Sequence, residues 1–274
     1  MPGPPTTSGW PFPPSTREIQ FDEKWAFVHK KQAHCDPDCP ADDELGDCWD
    51  HVALDAESRL VLAVIPGKRT AENTHALVAE AHRRTDGRTD VLLTSDAYAP
   101  YRDAILEVYG RPGRGPAAGL VLPKRLCYAT VQKRRQGGRV VEVIRALVFG
   151  TLALLTLWLV RSRVSRTVNT AFVERHNGTD RRRNGRKQRK TYGFSKNLGV
   201  HEAVTYFVTY SDNFCWPVRT LRERNADGKP GPPRTPAMAA KLTDHVWSLR
   251  EWVTLPAVER CGRHSNQASS PEQY

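Results

Sequence analysis

The chain has 274 residues, 39% of them hydrophobic, which is enough for one large domain with a sizeable core or a medium domain with extensions. Its 41 Lys and Arg against 30 Asp and Glu leave a formal charge of +11, which points to a polyanionic partner, nucleic acid first, and away from an acidic-protein surface. Six cysteines without a repeating short spacing, and no secretory signal at the start, exclude a disulfide scaffold and fit a reducing, cytoplasmic compartment.

Residues 1–15 hold six of the 20 prolines without a period and read as a flexible leader, so order is expected from about Glu18. Glu18 to Lys31 mixes aromatic and β-branched residues (Ile19, Phe21, Trp25, Phe27, Val28) and predicts a strand. After an acidic loop, Trp49 to Leu54 and Arg59 to Ile65 are β-rich runs joined by Asp55-Ala56-Glu57-Ser58, a hairpin signal. Thr70 to Arg84 opens on a capping residue with Glu72 in its first turn and places Ala71, His75, Val78 and His82 near one face, predicting a helix.

Asp90 to Ser95 is a short apolar run suited to a strand buried on both faces. Tyr98 to Tyr109 predicts the next helix, ended by Gly110. Then come a Gly/Pro-rich connection from Arg111 to Gly119, a basic segment to Gly138, and a β-branched run, Arg139 to Phe149, read as a fifth strand. The apolar stretch from Ala146 to Val160 is bracketed by Arg145 and Arg161; it is too short to span a bilayer, which takes about 20 residues, and reads as a buried strand end plus a helix.

This order predicts an α/β fold: a mixed five-stranded sheet flanked by helices, the ribonuclease-H-like architecture, over 18–212, with a basic insertion at about 111–139. Gly228 to Pro236 reads as a linker, Ala237 to Leu255 as a short helix carrying Trp247 and Trp252, and the last dozen residues as a disordered end, so that 213–274 forms a linker and tail.

The charge is segregated along the chain. From Arg111 to Lys190 there are 20 Lys and Arg and three acids, whereas Asp36 to Glu57 carries nine acids and no Lys or Arg. The basic stretch is suited to covering phosphates and the acidic one to avoiding them or pairing with the basic one. The densest run, Arg181 to Lys190, puts Arg182, Arg183, Arg186, Lys187, Arg189 and Lys190 on what reads as a helix basic nearly all round, favouring DNA contact.

Three acids stand where predicted elements end: Asp22 in FDEKWAFV, Asp96 after VLLTS, and Glu174 in AFVERHN ahead of the basic run. Sheets of this kind bind ligands just outside their strand ends, so three elements can bring three carboxylates to one rim. Hard divalent cations take oxygen ligands, and carboxylates surrounded by basic residues suit metal-dependent phosphodiester chemistry. Glu23 should face the opposite side of the strand from Asp22. His34, Cys35, Cys39, Cys48 and His51 fall close together in sequence, but C-x3-C has no second matching pair, so incidental cysteines are the default over a zinc site.

Asp22-Glu23-x-Trp25-x-Phe27-Val28, then Ser95-Asp96 with Tyr98 and Tyr101, then Val173-Glu174-Arg175-x-Asn177 leading to Arg181, Arg189-Lys190-Thr191 and Phe194-Ser195-Lys196, together resemble the DDE transposases of the first-numbered bacterial insertion-sequence family. The resemblance runs from about Phe21 to Tyr210, and VERHN with the later RKTYGFSK is its most specific part. It implies a ribonuclease-H-like catalytic domain, two Mg²⁺ or Mn²⁺ ions held by Asp22, Asp96 and Glu174, and cleavage and joining of double-stranded DNA at the ends of a mobile element. In such enzymes a basic residue seven positions after the glutamate contacts the phosphate near the reacting bond, a role that falls on Arg181. Asn177 is placed to hydrogen-bond a carboxylate or the DNA backbone.

The separation of Glu174 from Asp96 along the chain is longer than is familiar for this class, and Asp180 stands where an apolar helix residue is expected. Family members usually precede the triad with an end-recognition segment, and only a short stretch comes before Asp22. That predicts either a separate end-recognition polypeptide or a truncated, non-catalytic DNA-binding remnant; a nuclease of the same fold is a third reading. Joining two DNA ends implies a homo-oligomer in the synaptic complex.

Overall fold

The structure, a computed structural model, describes residues 14–113 and 119–254. The expected leader up to residue 13, the chain end from 255, and 114–118 of the Gly/Pro connection lie outside the described residues. Five strands form the heart of one sheet: β1 (Glu18–Val28), β2 (Gly46–Asp55), β3 (Val61–Gly67), β4 (Leu92–Ser95) and, after a two-residue ladder of β5 (Arg111–Pro112) with β6 (Leu120–Val121), β7 (Cys127–Gln136). A further strand, β8 (Arg139–Phe149), extends it to six in the order β3-β2-β1-β4-β7-β8. The first three strands are antiparallel, while β1, β4 and β7 run parallel to one another, and helices lie on both faces. This is a ribonuclease-H-like architecture with one extra strand.

The extra strand corrects the sequence reading. Cys127–Gln136, read as part of a basic insertion, is the fifth strand of the core. Its alternation Cys127, Ala129, Val131 against Tyr128 and Thr130 was masked by the cations that follow. The β-branched run at 139–149 is instead its antiparallel hairpin partner, turning at Gly137 and Gly138, both with positive φ. Arg139 to Ile144 are exposed on both faces of this edge strand, with Val141 at 61%. Gly150, at φ +98°, sits so close to Leu126 and Cys127 that a Cβ there would lie 3.2 Å from the Leu126 carbonyl, so only glycine makes this turn without strain.

One face of the sheet carries α1 (Ala71–Arg84) and α2 (Pro100–Tyr109) over Ile19, Phe21, Leu62 and Leu93. Thr70 caps α1 by accepting from the Asn73 amide, as its position predicts. The buried stripe of α1 is Thr74, Leu77, Val78, Ala81 and Arg84, so the helix is rotated from the expected face and His75 is half exposed.

The other face carries α3 (Leu152–Arg161), α4 (Ala171–Arg183) and α5 (Leu198–Cys215). The apolar α3, the helix expected after the strand end, is buried only along Trp158, while Leu152 and Val160, at 72% and 71%, stay largely exposed. Among the described residues no helix is long and apolar enough to cross a membrane. In place of a single helix at 237–255 there are two short ones, α6 (Pro236–Ala239) and α7 (Leu249–Thr254), and Trp247 and Trp252 pack on Phe214 at the end of α5.

Alternate residues of β1 fasten α4 to the sheet. Gln20 Oε1 accepts from the amides of Phe172 (3.0 Å) and Val173 (3.2 Å), supplying the first turn of α4 with a capping acceptor from a strand. Two residues on, Asp22 accepts from Asn177, and two further on, Lys24 pairs with Asp180. A strand presents i, i+2, i+4 on one face and a helix presents residues three to four apart, so the two periods mesh along the whole contact.

Lys24 belongs to a buried ion cluster in which Asp50 of β2 binds both Lys24, at 3.1 Å, and Lys187. Lys187 also donates to the Thr205 hydroxyl of α5 at 2.5 Å. Two ammonium groups thus stand against two carboxylates, all buried, and the balance keeps each charge paired. Burial pushes Asp50 upward, but Lys187 and Lys24 outweigh it and hold its carboxyl well below the usual range. Nearby, burial pushes the His176 imidazole down to about 4, so it is neutral at physiological pH. Asp180, which the sequence marked as ill placed in a helix, is the buried partner of Lys24.

Candidate active site

The spacing of Asp22 and Asp96 along the chain is the register of the sheet. In the parallel β1–β4 pair Glu18 faces Leu92, Ile19 faces Leu93 and Gln20 faces Thr94. The same register carried two residues further sets Asp22 level with Asp96, just past the end of β4 at Ser95. Asp22 has the parity of Gln20 and belongs to the face covered by α4, while Asp96 lies in the loop after the strand, where its carboxylate accepts from the Tyr98 amide.

Asp22 is largely buried. Burial first, then the Glu23 carboxylate, with Asp96 and Glu174 adding to them, push its carboxyl up to about 7. The hydrogen bond from Asn177 Nδ2 to Asp22 Oδ2, 2.8 Å, acts in the opposite sense. Asp96 is raised too, by burial and then by Glu23 and Glu174 against the pull of Arg69. Glu23, on the opposite face as expected, is held by Arg69 at 2.9 Å, and the same guanidinium lies 3.8 Å from Asp96. Arg69 is itself seated between the rings of Tyr98 and Trp49, 4.0 and 5.0 Å from its guanidinium carbon.

Glu174 lies on the exposed side of the first turn of α4. Lys133 Nζ, from β7, donates to both its oxygens at 2.5 and 2.6 Å, and the Thr170 hydroxyl donates to Oε1 at 2.5 Å. Glu174 is thus close enough to raise both aspartates but is turned toward an ammonium. Among the described residues no group of three or more His, Cys, Asp or Glu is gathered so as to hold a metal ion. Of the three acids expected at one rim, Asp22 and Asp96 stand level across the β1–β4 pair and Glu174 is paired with Lys133. Like charges repel, and an ammonium donor satisfies a lone carboxylate better than two more carboxylates do.

The donor set nonetheless fits a hard divalent cation. It is all oxygen, it stands at one rim of the sheet, and an aspartate raised to about 7 by burial and neighbouring carboxylates is a group that a dication would stabilise.

Asn177 takes the carboxylate of the two partners its position allowed. Arg181, two helical turns beyond Glu174, is partly buried; burial and then Arg189 lower its pKa, while Asp22 acts in the opposite sense. The rest of the basic run is not one helix. The α-helix ends at Arg183, a short 3₁₀ turn spans Gly185–Lys187, and Lys190 adopts φ +54°. Lys187 is no surface cation: it is 4% exposed and consumed by Asp50, which removes it from the DNA-contacting set. Arg183 pairs with Asp212 and lies 4.9 Å over Trp216. Arg182, Arg189 and Lys190 are exposed, and no carboxylate among the described residues pairs with them or with Arg186.

Sequence reasoning missed Lys133, Gln20 and Arg69. The alternation Cys127, Ala129, Val131, Lys133 on one face of β7 carried the signal for Lys133, and parity with Asp22 carried it for Gln20; Arg69, in a turn before α1, left none. Of the Cys/His group, Cys48 and His51 lie on opposite faces of β2, and His51 Nδ1 is engaged by the Ile65 carbonyl at 3.0 Å.

No protein-family model and no curated protein matches the chain. Among solved structures it is similar to the Mos1 transposase paired-end complex with left transposon end, at 22% identity over 32% of each chain, with a TM-score of 0.22. The likeness thus spans about a third of the length of that chain.

Proposed function

We propose that the chain is a DDE-type DNA transposase, cutting and joining double-stranded DNA at the ends of an insertion sequence. The observation that carries this reading is the in-register pair of Asp22 and Asp96, with Glu174 on the helix that β1 fastens over them. In this reading Asp22, Asp96 and Glu174 would hold two Mg²⁺ or Mn²⁺ ions. Cations bound there supply activation of the attacking oxygen and stabilisation of the leaving oxygen of an in-line displacement.

The chain's own residues do the rest. Asn177 fixes the rotamer of Asp22, Lys133 would have to release Glu174 for that carboxylate to serve as a ligand, and Arg181 holds the phosphate beside the reacting bond. Arg182, Arg186, Arg189 and Lys190 extend the cationic track along the backbone of the DNA, while Arg183 and Lys187 buttress the helix end. A homo-oligomeric synaptic complex completes the reading.

The test is incubation of the purified chain with Mg²⁺ and a supercoiled plasmid bearing the element's ends. Metal-dependent nicking and joining that disappear in Asp96→Ala support the transposase; nicking without joining supports a nuclease of the same fold. DNA retention with no nicking in the wild type leaves only a non-catalytic DNA-binding protein.

A further inference from the structure

Past the far end of α4 from Glu174, the loop between α4 and α5 forms an open cleft of about 590 Å³ with the flank of α5 as its floor. Its lining contains no carboxylate. Cations come from Arg186, Lys196 and Arg183, the last already paired with Asp212, side-chain amides from Asn184 and Gln188, and rings from Tyr192 and Phe194, with Val204 and Val208 below. The volume lies within the range of about 300–1,000 Å³ that holds organic ligands and exceeds the need of a bare phosphate.

The two rings differ in what they already touch. Phe194 rests on Phe27 at 4.9 Å and carries the Lys196 ammonium 2.8 Å over its face, so it is a finished wall. Tyr192 is 98% exposed and makes no ring contact among the described residues. A tyrosine left wholly in water next to Lys190 and Arg189 has an unused stacking face beside unpaired cations. Stacking together with charge is what a nucleotide offers: a flat ring for Tyr192 and an anion for Arg186 and Lys196. Paired bases within a duplex have both faces occupied, so the ring that stacks on Tyr192 must be unpaired.

We propose that this cleft binds an unpaired nucleotide of the DNA strand that enters the active site, with its base on Tyr192 and its phosphate between Arg186 and Lys196. The inference rests on the DNA-processing reading above. Arg189 follows Gln188 of the cleft lining in sequence, and its charge, like that of Asp22, acts on Arg181. An unpaired nucleotide could also come from the free pool, and the chemistry of the cleft is the same for both sources.

Fluorescence anisotropy with the full chain separates these. The probes are a blunt duplex and the same duplex with a short single-stranded oligo(dT) overhang, with dTMP as competitor. The expected result is tighter binding of the overhang by about tenfold or more, the scale of a base stacked on an aromatic ring. The overhang-to-blunt ratio should collapse toward one in Tyr192→Ala and return in Tyr192→Trp. Tyr192 is nearly all in water, so these variants test stacking and not folding.

A ratio of one in the wild type with salt-sensitive blunt binding intact overturns the cleft and leaves the transposase reading standing. No salt-sensitive binding of either duplex overturns both. Displacement of the overhang by dTMP at micromolar concentration overturns the strand assignment in favour of a free-nucleotide site.

Discussion

Asp22 on β1 stands level with Asp96 past the end of β4, because the two strands run parallel in a register that sets Gln20 opposite Thr94. Adjacent strands lie about 4.8 Å apart, so two residues level across such a pair are first neighbours whatever the length of chain between them.

Asp22 is raised to about 7, so its protonation should govern both stability and cation binding. Its stabilising contribution is full below the unfolded carboxyl value and is lost as pH rises through about 7. The metal-free thermal midpoint should therefore fall between pH 6 and pH 8, and Asp22→Asn should fall less. Affinity for Mn²⁺, measured by calorimetry, should rise over the same interval as the proton leaves, and Asp22→Asn should abolish that rise. A pH-independent affinity between 6 and 8 would rule out Asp22 as a ligand.

Lys133 competes with any dication for Glu174. Lys133→Met should tighten Mn²⁺ binding several-fold in the absence of DNA. It should change the urea midpoint little, because partly exposed ion pairs contribute about 0–1 kcal/mol. Weaker Mn²⁺ binding in this variant would mean that the lysine assembles the site and does not block it.

The buried ions offer a sharper stability test. Asp180→Ala strands Lys24 against Asp50 alone and should cost about 3–5 kcal/mol in urea unfolding. The double variant Lys24→Met/Asp180→Leu should recover a large part of that loss, since it removes the charges together. Additive losses in the double variant would show that the pair is not coupled.

The basic run should divide into two classes. Replacing Arg182, Arg189 or Lys190 with Ala should each lower the slope of log affinity against log salt by about 0.9 and leave the melting temperature unchanged. Lys187→Ala should do the reverse, destabilising the fold by leaving the buried Asp50 with Lys24 as its one remaining ammonium partner, with little effect on the slope. With about six phosphates contacted, the wild type should lose about a thousandfold in affinity between roughly 50 and 200 mM salt. A flat response would exclude this segment as the DNA surface.

What was legible in the sequence follows from the range of the physics involved. The first three strands, α1 and β4 were readable because their signals are local: alternation, a capping Thr70, and turn chemistry at Asp55, which accepts from the Glu57 amide at 2.8 Å. β7 was hidden because Lys133, Arg134 and Arg135 break its alternation in composition but not in geometry. The three acids were nameable from local motifs, yet their relation was not. Asp22 meets Asp96 through a pairing of strands with a hairpin and a helix between them, and Glu174 is turned aside by a lysine on a third strand. Asp180 and Lys187 misled for one reason: a charge reads as surface until its buried counter-ion is known, and those counter-ions lie 156 and 137 residues away.

The seam of Gln20, Asp22 and Lys24 against α4 joins positions 152 to 156 residues apart. At ribosomal speeds of about 5–20 residues per second, β1 is therefore made roughly 8–30 s before the helix that completes its rim. Half-synthesised molecules hold two acids and no scaffold to aim them, so the rim stays unassembled until α4 has emerged.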